Sequence, residues 1–187
     1  MTFSQHVQEW YGISHKLILK MGDRASAQQL KWQADMQGHS IGYELWHVAR
    51  WADHLQARLP GMTEALKEIL PARDEIWKEE GLGKAWGIPE PEALGDAETG
   101  ISMETEAIKA LPIPEKAVLL DYVKRVFETM DTTIAQIPED QYLGEMTGNP
   151  GMTVFQVLMS FLYHEGRHLG MMEALMGLQG EPGSATA

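Results

Sequence analysis

The chain contains no cysteine. A disulfide framework, a cysteine nucleophile and thiolate metal ligands are therefore excluded together. Any metal would have to be held by His, Asp, Glu, backbone or water, the donors of borderline and hard divalent ions. Basic residues are also scarce, with 15 Lys and Arg against 27 Asp and Glu, a formal charge of −12. That field repels phosphate backbones and anionic lipid surfaces, which removes nucleic acid and membrane as expected partners. No stretch approaches the roughly 20 apolar residues that a spanning helix needs. Residues Met1 to His6 show neither the basic nor the apolar region of a secretory leader. Together these absences predict a cytoplasmic protein.

What is present is an ordinary globular composition, with 44% hydrophobic and 22% charged residues over 187 positions. A chain of that length suits one domain with a substantial core, expected over residues 1–180, with 181–187 as a frayed C-terminal tail. Thr2 and Gln5 form a capping-box pattern at the start of a first long helix. Phe3, Val7, Trp10, Ser14, Leu17 and Met21 then mark its inward face by steps of three and four. After a short helical turn over 27–32 and the Gln37-Gly38-His39-Ser40 turn, Ser40 caps a second helix running to about Leu59. Its inward stripe is Ile41, Leu45, Val48, Ala52, Leu55 and Leu59. Residues 61–112 are broken by Pro71, Pro89, Pro91, Pro112 and six glycines, with short helices expected at 63–70 and 74–80. So long a connection within a compact domain carries function or closes a pocket, unless it merely packs over the end of a bundle. A third helix is expected from near Pro114, with Leu119, Val123, Val126, Met130 and Ile137 inward. Gly148 to Gly151 reads as a turn, and Thr153 with Gln156 caps a fourth helix that ends near Leu178. With no strand pattern, the expected class is all-α, a four-helix bundle with a long irregular connection between helices two and three.

On the fourth helix Val157, Phe161, His164, His168, Met171 and Leu175 share a core-facing spacing. Imidazoles one turn apart can share a single metal ion. On the second helix Glu44, His47, Trp51 and His54 form a stripe beside the core residues, so that His47 leans toward a seam between helices. A core histidine satisfied by hydrogen bonds is the simpler reading of any one of these, and HxxxH arises often by chance. A third inward His on another helix favours a metal. His164-Glu165-Gly166-Arg167-His168 also matches HExxH, in which Glu would be a general base. Only 19 residues follow His168, and no strand precedes it to bind an extended peptide, which makes a zinc protease the weakest reading. His6 and His15 fall off the first helix's stripe and are expected in solvent. His39 sits in a turn, and His54 lies two turns from His47, too far to join the same ion.

Ser40-Ile41-Gly42-Tyr43-Glu44-Leu45-Trp46-His47-Val48-Ala49-Arg50, followed by Asp53, resembles the second-helix signature of the DinB-like (YfiT-like) superfamily. His164 to Gly170 with Glu173-Ala174-Leu175 resembles its last-helix signature, and Ile76-Trp77 with 81–87 resembles its connecting segment. The resemblance implies an up-down-down-up bundle, commonly a homodimer, with one divalent metal held by His47, His164 and His168. Zinc or nickel is the first expectation, and iron, manganese and cobalt also suit such donors. Characterised members of the family include thiol-dependent transferases and a mycothiol-dependent isomerase. The resemblance therefore implies a thiol S-transferase or a hydrolase acting on a small-molecule substrate, any low-molecular-weight thiol arriving from outside. The alternative is a non-catalytic metal-binding stress-response protein. Neither Glu165 nor Arg167 receives a catalytic role on this reading.

Overall fold

Hydroxyl side chains open most of the helices. Thr2, Ser26 and Thr153 each form a capping box with Gln5, Gln29 and Gln156, and Ser40 accepts from the Tyr43 backbone N–H. The four long helices are α1 (Phe3–Arg24), α2 (Ile41–Arg58), α3 (Lys116–Ala135) and α4 (Val154–Leu178). The computed structural model describes residues 2–34, 39–88 and 90–186. The expected breakers Gln37, Gly38 and Pro89 lie outside the described residues, as do the chain's first residue and its last. Short helices at Ala27–Lys31, Glu64–Ile69, Ile76–Glu79, Leu82–Ala85 and Thr105–Ala110 punctuate the connections. Among the described residues no helix is long and apolar enough to cross a membrane.

Side-chain pairings fix the direction of each helix. On α1, Tyr11 Oη donates to the Leu158 carbonyl at 2.6 Å and Ser14 Oγ to Glu165 at 2.7 Å, so α1 and α4 run parallel. His15 stacks on Phe127 while Gly22 abuts Leu120, so α1 and α3 run antiparallel. His47 meets His164 and Glu44 meets His168, so α2 opposes α4. The result is the expected up-down-down-up bundle, with α3 and α4 each packing against both α1 and α2. The inward stripes expected on α2 and along the third helix are buried throughout.

Several expectations fail, among them the inward place of Met171 on α4, which is exposed. Phe3 and Trp10 are exposed, Trp10 by 58%, and Tyr11, His15 and Ile18 take the inward positions of α1. His15, expected in solvent, is 2% exposed. It is tolerated there because its ring lies flat on Phe127 at 3.9 Å, with Nε2 3.3 Å from Glu165 and Nδ1 2.7 Å from Asp131. The Asp131 contact is an ion pair poorly aligned for a hydrogen bond. The segment read as a turn contains a small antiparallel hairpin, β1 (Glu145–Met146) and β2 (Asn149–Thr153), with Gly148 at φ +78° turning the chain. Nor does the C-terminal segment fray. Arg24 donates to the carbonyls of Ser184 and Pro182, the Ala185 N–H donates to Glu173 at 2.6 Å, and Ala185 is fully buried.

The long connection is tied down by Arg50, which is wholly buried on α2. Its guanidinium donates to the Glu98 and Ala97 carbonyls, to Glu75 at 2.6 Å, to Asp53 at 3.2 Å and to Tyr122 at 3.3 Å. Asp53 in turn accepts the backbone N–H groups of Ile76 and Trp77, each at 2.9 Å, where a short helix begins. Ala97 and Glu98 sit at φ +52° and +56°, a left-handed conformation that costs non-glycine residues energy and persists only when held by its surroundings.

Two outcomes follow from these buried charges. Arg50→Met leaves the buried Asp53 without its cation, and Glu75 with Lys78 alone, and is expected to lower the unfolding free energy by about 3–5 kcal/mol in a denaturant titration; a loss under about 1 kcal/mol would refute this role. Burial opposes the charge on His15, but Glu165 and Asp131 outweigh it and raise its pKa to about 9. A raised folded pKa stabilises fully below the ordinary 6.5, and the contribution fades as pH rises through 9. The stability gap between wild type and His15→Gln should therefore be widest near pH 6 and narrow steadily toward pH 10, measured by urea unfolding across that range; a gap that widens with pH would contradict the assignment.

Candidate metal centre

His47 comes from the middle of α2, and His164 and His168 from successive turns of α4 that lie against it. His164 Nε2 stands 3.2 Å from His47 Nε2 and 3.0 Å from His168 Nε2. All three donor atoms lie within 4.8 Å of one another, so the cluster could hold a metal ion. Ligand nitrogens bonded at 2.0–2.1 Å to one ion lie about 2.9 Å apart at right angles and about 3.4 Å apart at a tetrahedral angle. The two short separations fall inside that interval.

The outer ring nitrogens decide which form each imidazole takes. His47 Nδ1 lies 2.5 Å from the Thr99 carbonyl, which can only accept, so Nδ1 carries the proton and Nε2 presents a lone pair inward. His168 Nδ1 faces the Glu44 carboxylate, with the same consequence. Two lone pairs thus converge on His164 Nε2, and one proton there could serve only one of them well. A cation satisfies all three at once, so the donor set fits a divalent metal. Among the described residues the buried His164 Nδ1 has no protein partner. Burial first, then the neighbouring His168 and His164, pushes His47 down to about 3. Burial, His168 and Arg167 push His164 down to about 4. Both rings are therefore neutral donors at physiological pH.

Glu44 is fully buried and holds His39 Nδ1 at 2.7 Å as well as His168. Burial alone would raise its carboxyl, but hydrogen bonds and charge from the two imidazoles carry it below the ordinary value. Sequence reasoning placed Glu44 on the His47 stripe without a task; a Glu three residues before a candidate ligand is the signal it offered. Thr99 and Gly100 gave no signal. Gly100 has φ +89°, and a Cβ there would lie 2.8 Å from Tyr43 Oη and 3.0 Å from His47 Nδ1, so only glycine lets this loop reach the ring.

The remaining candidates fall elsewhere. Glu165 turns away from the imidazoles and is bound by Ser14 and His15 of α1, so it cannot act as general base at a metal held there. His54 pairs with Glu75 at 3.0 Å, and the side chain of His6 is 56% exposed. Beside His164 opens a cleft of about 370 Å³ lined also by Trp51, Arg58, Ile101, Ser160 and Phe161.

Fold and site together define a helical bundle with a three-imidazole cluster at the α2–α4 seam and a cleft at its side. The model of the DinB superfamily matches residues 14–172, and the chain belongs to that family. The chain is also similar in fold to a conserved protein from Enterococcus faecalis whose crystal structure is known. The TM-score is 0.74 at 20% identity, over 95% of this chain and 97% of that one. Among curated proteins none matches the chain.

Glu44→Gln keeps the shape of the side chain but removes the charge that orients His168. It is expected to weaken zinc binding by about 10–100-fold in competition with a chelating dye. Affinity equal to wild type would show that Glu44 does not support the cluster.

Proposed function

We propose that His47, His164 and His168 hold one divalent metal, zinc or nickel first, and that the protein is a metal-dependent enzyme acting on a small molecule. A thiol S-transferase is the reaction favoured, and a hydrolase stands second. The observation that carries this reading is the convergence of the three Nε2 atoms, two of them held as lone-pair donors by Thr99 and Glu44. Three protein ligands leave positions open to an incoming group, the arrangement of catalytic rather than structural sites. An ion there would lower the pKa of a bound thiol or water and supply a nucleophile at neutral pH.

The chain's own residues set the stage for that chemistry. Thr99 and Glu44 orient His47 and His168, so that their inner nitrogens would face an ion held between the three rings. Trp51 and Phe161 wall the cleft that reaches His164. Since the chain has no cysteine, the sulfur must enter with a substrate. A cysteine-free chain is in keeping with the cytoplasm. A homodimer is part of the same proposal, and it draws support from Trp10, Ile13 and Tyr163, exposed on the two packed helices α1 and α4.

Elemental analysis of untagged wild type beside His168→Ala, followed by turnover of a chromogenic electrophile with small thiols, tests this reading. About one metal per chain, lost in the variant, with metal-dependent turnover is expected. No metal in either protein after dialysis against zinc and nickel would overturn it. Metal uptake with raised thermal stability and no turnover would instead establish the non-catalytic metal binder.

A further inference from the structure

The cleft beside His164 is chemically one-sided. Among the described residues no Asp or Glu lines it, although the chain carries a charge of −12. Trp51 and Phe161 meet edge to face at 5.4 Å, and Trp51 meets His164 at 5.9 Å, so an apolar wall runs up to the imidazole cluster. Its polar lining consists of Arg58, Ser160 and His164.

Arg58 stands in the last turn of α2, exposed to solvent. Among the described residues its guanidinium meets no carboxylate, and its hydrogen bond goes to His54 Nε2 at 3.4 Å. That nitrogen accepts because His54 Nδ1 donates to Glu75 at 3.0 Å, and Glu75 is held by Arg50. Arg58 is thus steered by the same network that pins the long connection, while its remaining N–H groups are left for a ligand.

Resting on the reading above, we propose that this cleft is the substrate pocket of the metal centre and that it selects small molecules bearing a carboxylate on an apolar body. The carboxylate pairs with Arg58, the apolar part lies along Trp51 and Phe161, and the reacting group faces His164. Arginine suits this task because its planar fork matches a carboxylate with two parallel hydrogen bonds. An exposed pair of this kind contributes little by itself. It gains selectivity when the same molecule is also anchored by apolar contact and at the metal, since one misplaced end then loosens the others. The absence of any carboxylate in the lining completes the selection, because an anionic substrate meets no repulsion there.

The test uses full-length protein loaded with cobalt(II), whose visible bands report an occupied site and whose thiolate charge-transfer band reports a bound thiol. The probes are N-acetylcysteine and its neutral amide, titrated into wild type, Arg58→Gln and Arg58→Lys. Comparing acid-to-amide affinity ratios between proteins cancels the intrinsic difference between the two thiols. The ratio is expected to fall about three- to tenfold in Arg58→Gln and to recover partly in Arg58→Lys. Cobalt bands with an unchanged ratio, or with no charge-transfer band from either probe, would overturn the pocket assignment and leave the metal reading standing. Absence of the cobalt bands themselves would overturn the metal reading, and the pocket assignment with it.

Discussion

A guanidinium removed from water is tolerated only where acceptors surround its N–H groups and a carboxylate balances its charge. Arg50 meets that demand by reaching out from α2 to five partners, two of them backbone carbonyls of the long connection. The connection is bound to the bundle by this side chain together with its own buried apolar residues, Leu66, Trp77, Ile88 and Leu94 among them. Its left-handed turns at Ala97 and Glu98 are conformations that a free loop would leave. Thr99 follows directly, and its carbonyl receives His47. The strained turns of this loop and the orientation of His47 are therefore linked to one buried charge.

The imidazole cluster repeats the same logic on a smaller scale. A buried carboxylate, Glu44, stands behind the cluster and is bridged between His39 and His168. It sets the ring's tautomer and makes the nitrogen that faces the other two imidazoles more basic. Because His47 is oriented by a neutral carbonyl and His168 by a carboxylate, the donors differ in basicity, which gives the cluster an electronic asymmetry that its composition does not suggest. The cleft lies on the His164 side.

The opposite side of α4 is organised around a different charge. Glu165 shares its carboxylate between Ser14 and His15, which is itself stacked on Phe127 and close to Asp131. Adjacent residues on a helix diverge by about 100°. His164 and Glu165 consequently serve two separate networks, one at the α2 seam and one at α1, and the HExxH spelling carries no general base. The same helix thus couples the cluster to the core of the bundle, and α1 is rotated so that a histidine rather than Trp10 faces inward.

The sequence by itself determined the four long helices, the caps at Thr2, Ser40 and Thr153, and the inward faces of α2 and α3. Those follow from local rules: hydroxyls that cap, apolar residues recurring every three or four positions, and proline or glycine that interrupt. It also made the three histidines legible as a set, because the i and i+4 spacing on α4 and the position of His47 on α2 each fix a helical face. The tertiary structure alone decided what those faces meet. Nothing local reveals that Arg50 gathers carbonyls some 47 residues downstream, that Thr99 rather than a side chain orients His47, or that Arg58 borders a cleft. His15 shows the reason most clearly. Taken from its own helix it is polar and off the apolar stripe, and it is buried only because Asp131 and Glu165, more than 100 residues away in sequence, arrive from two other helices to balance its charge.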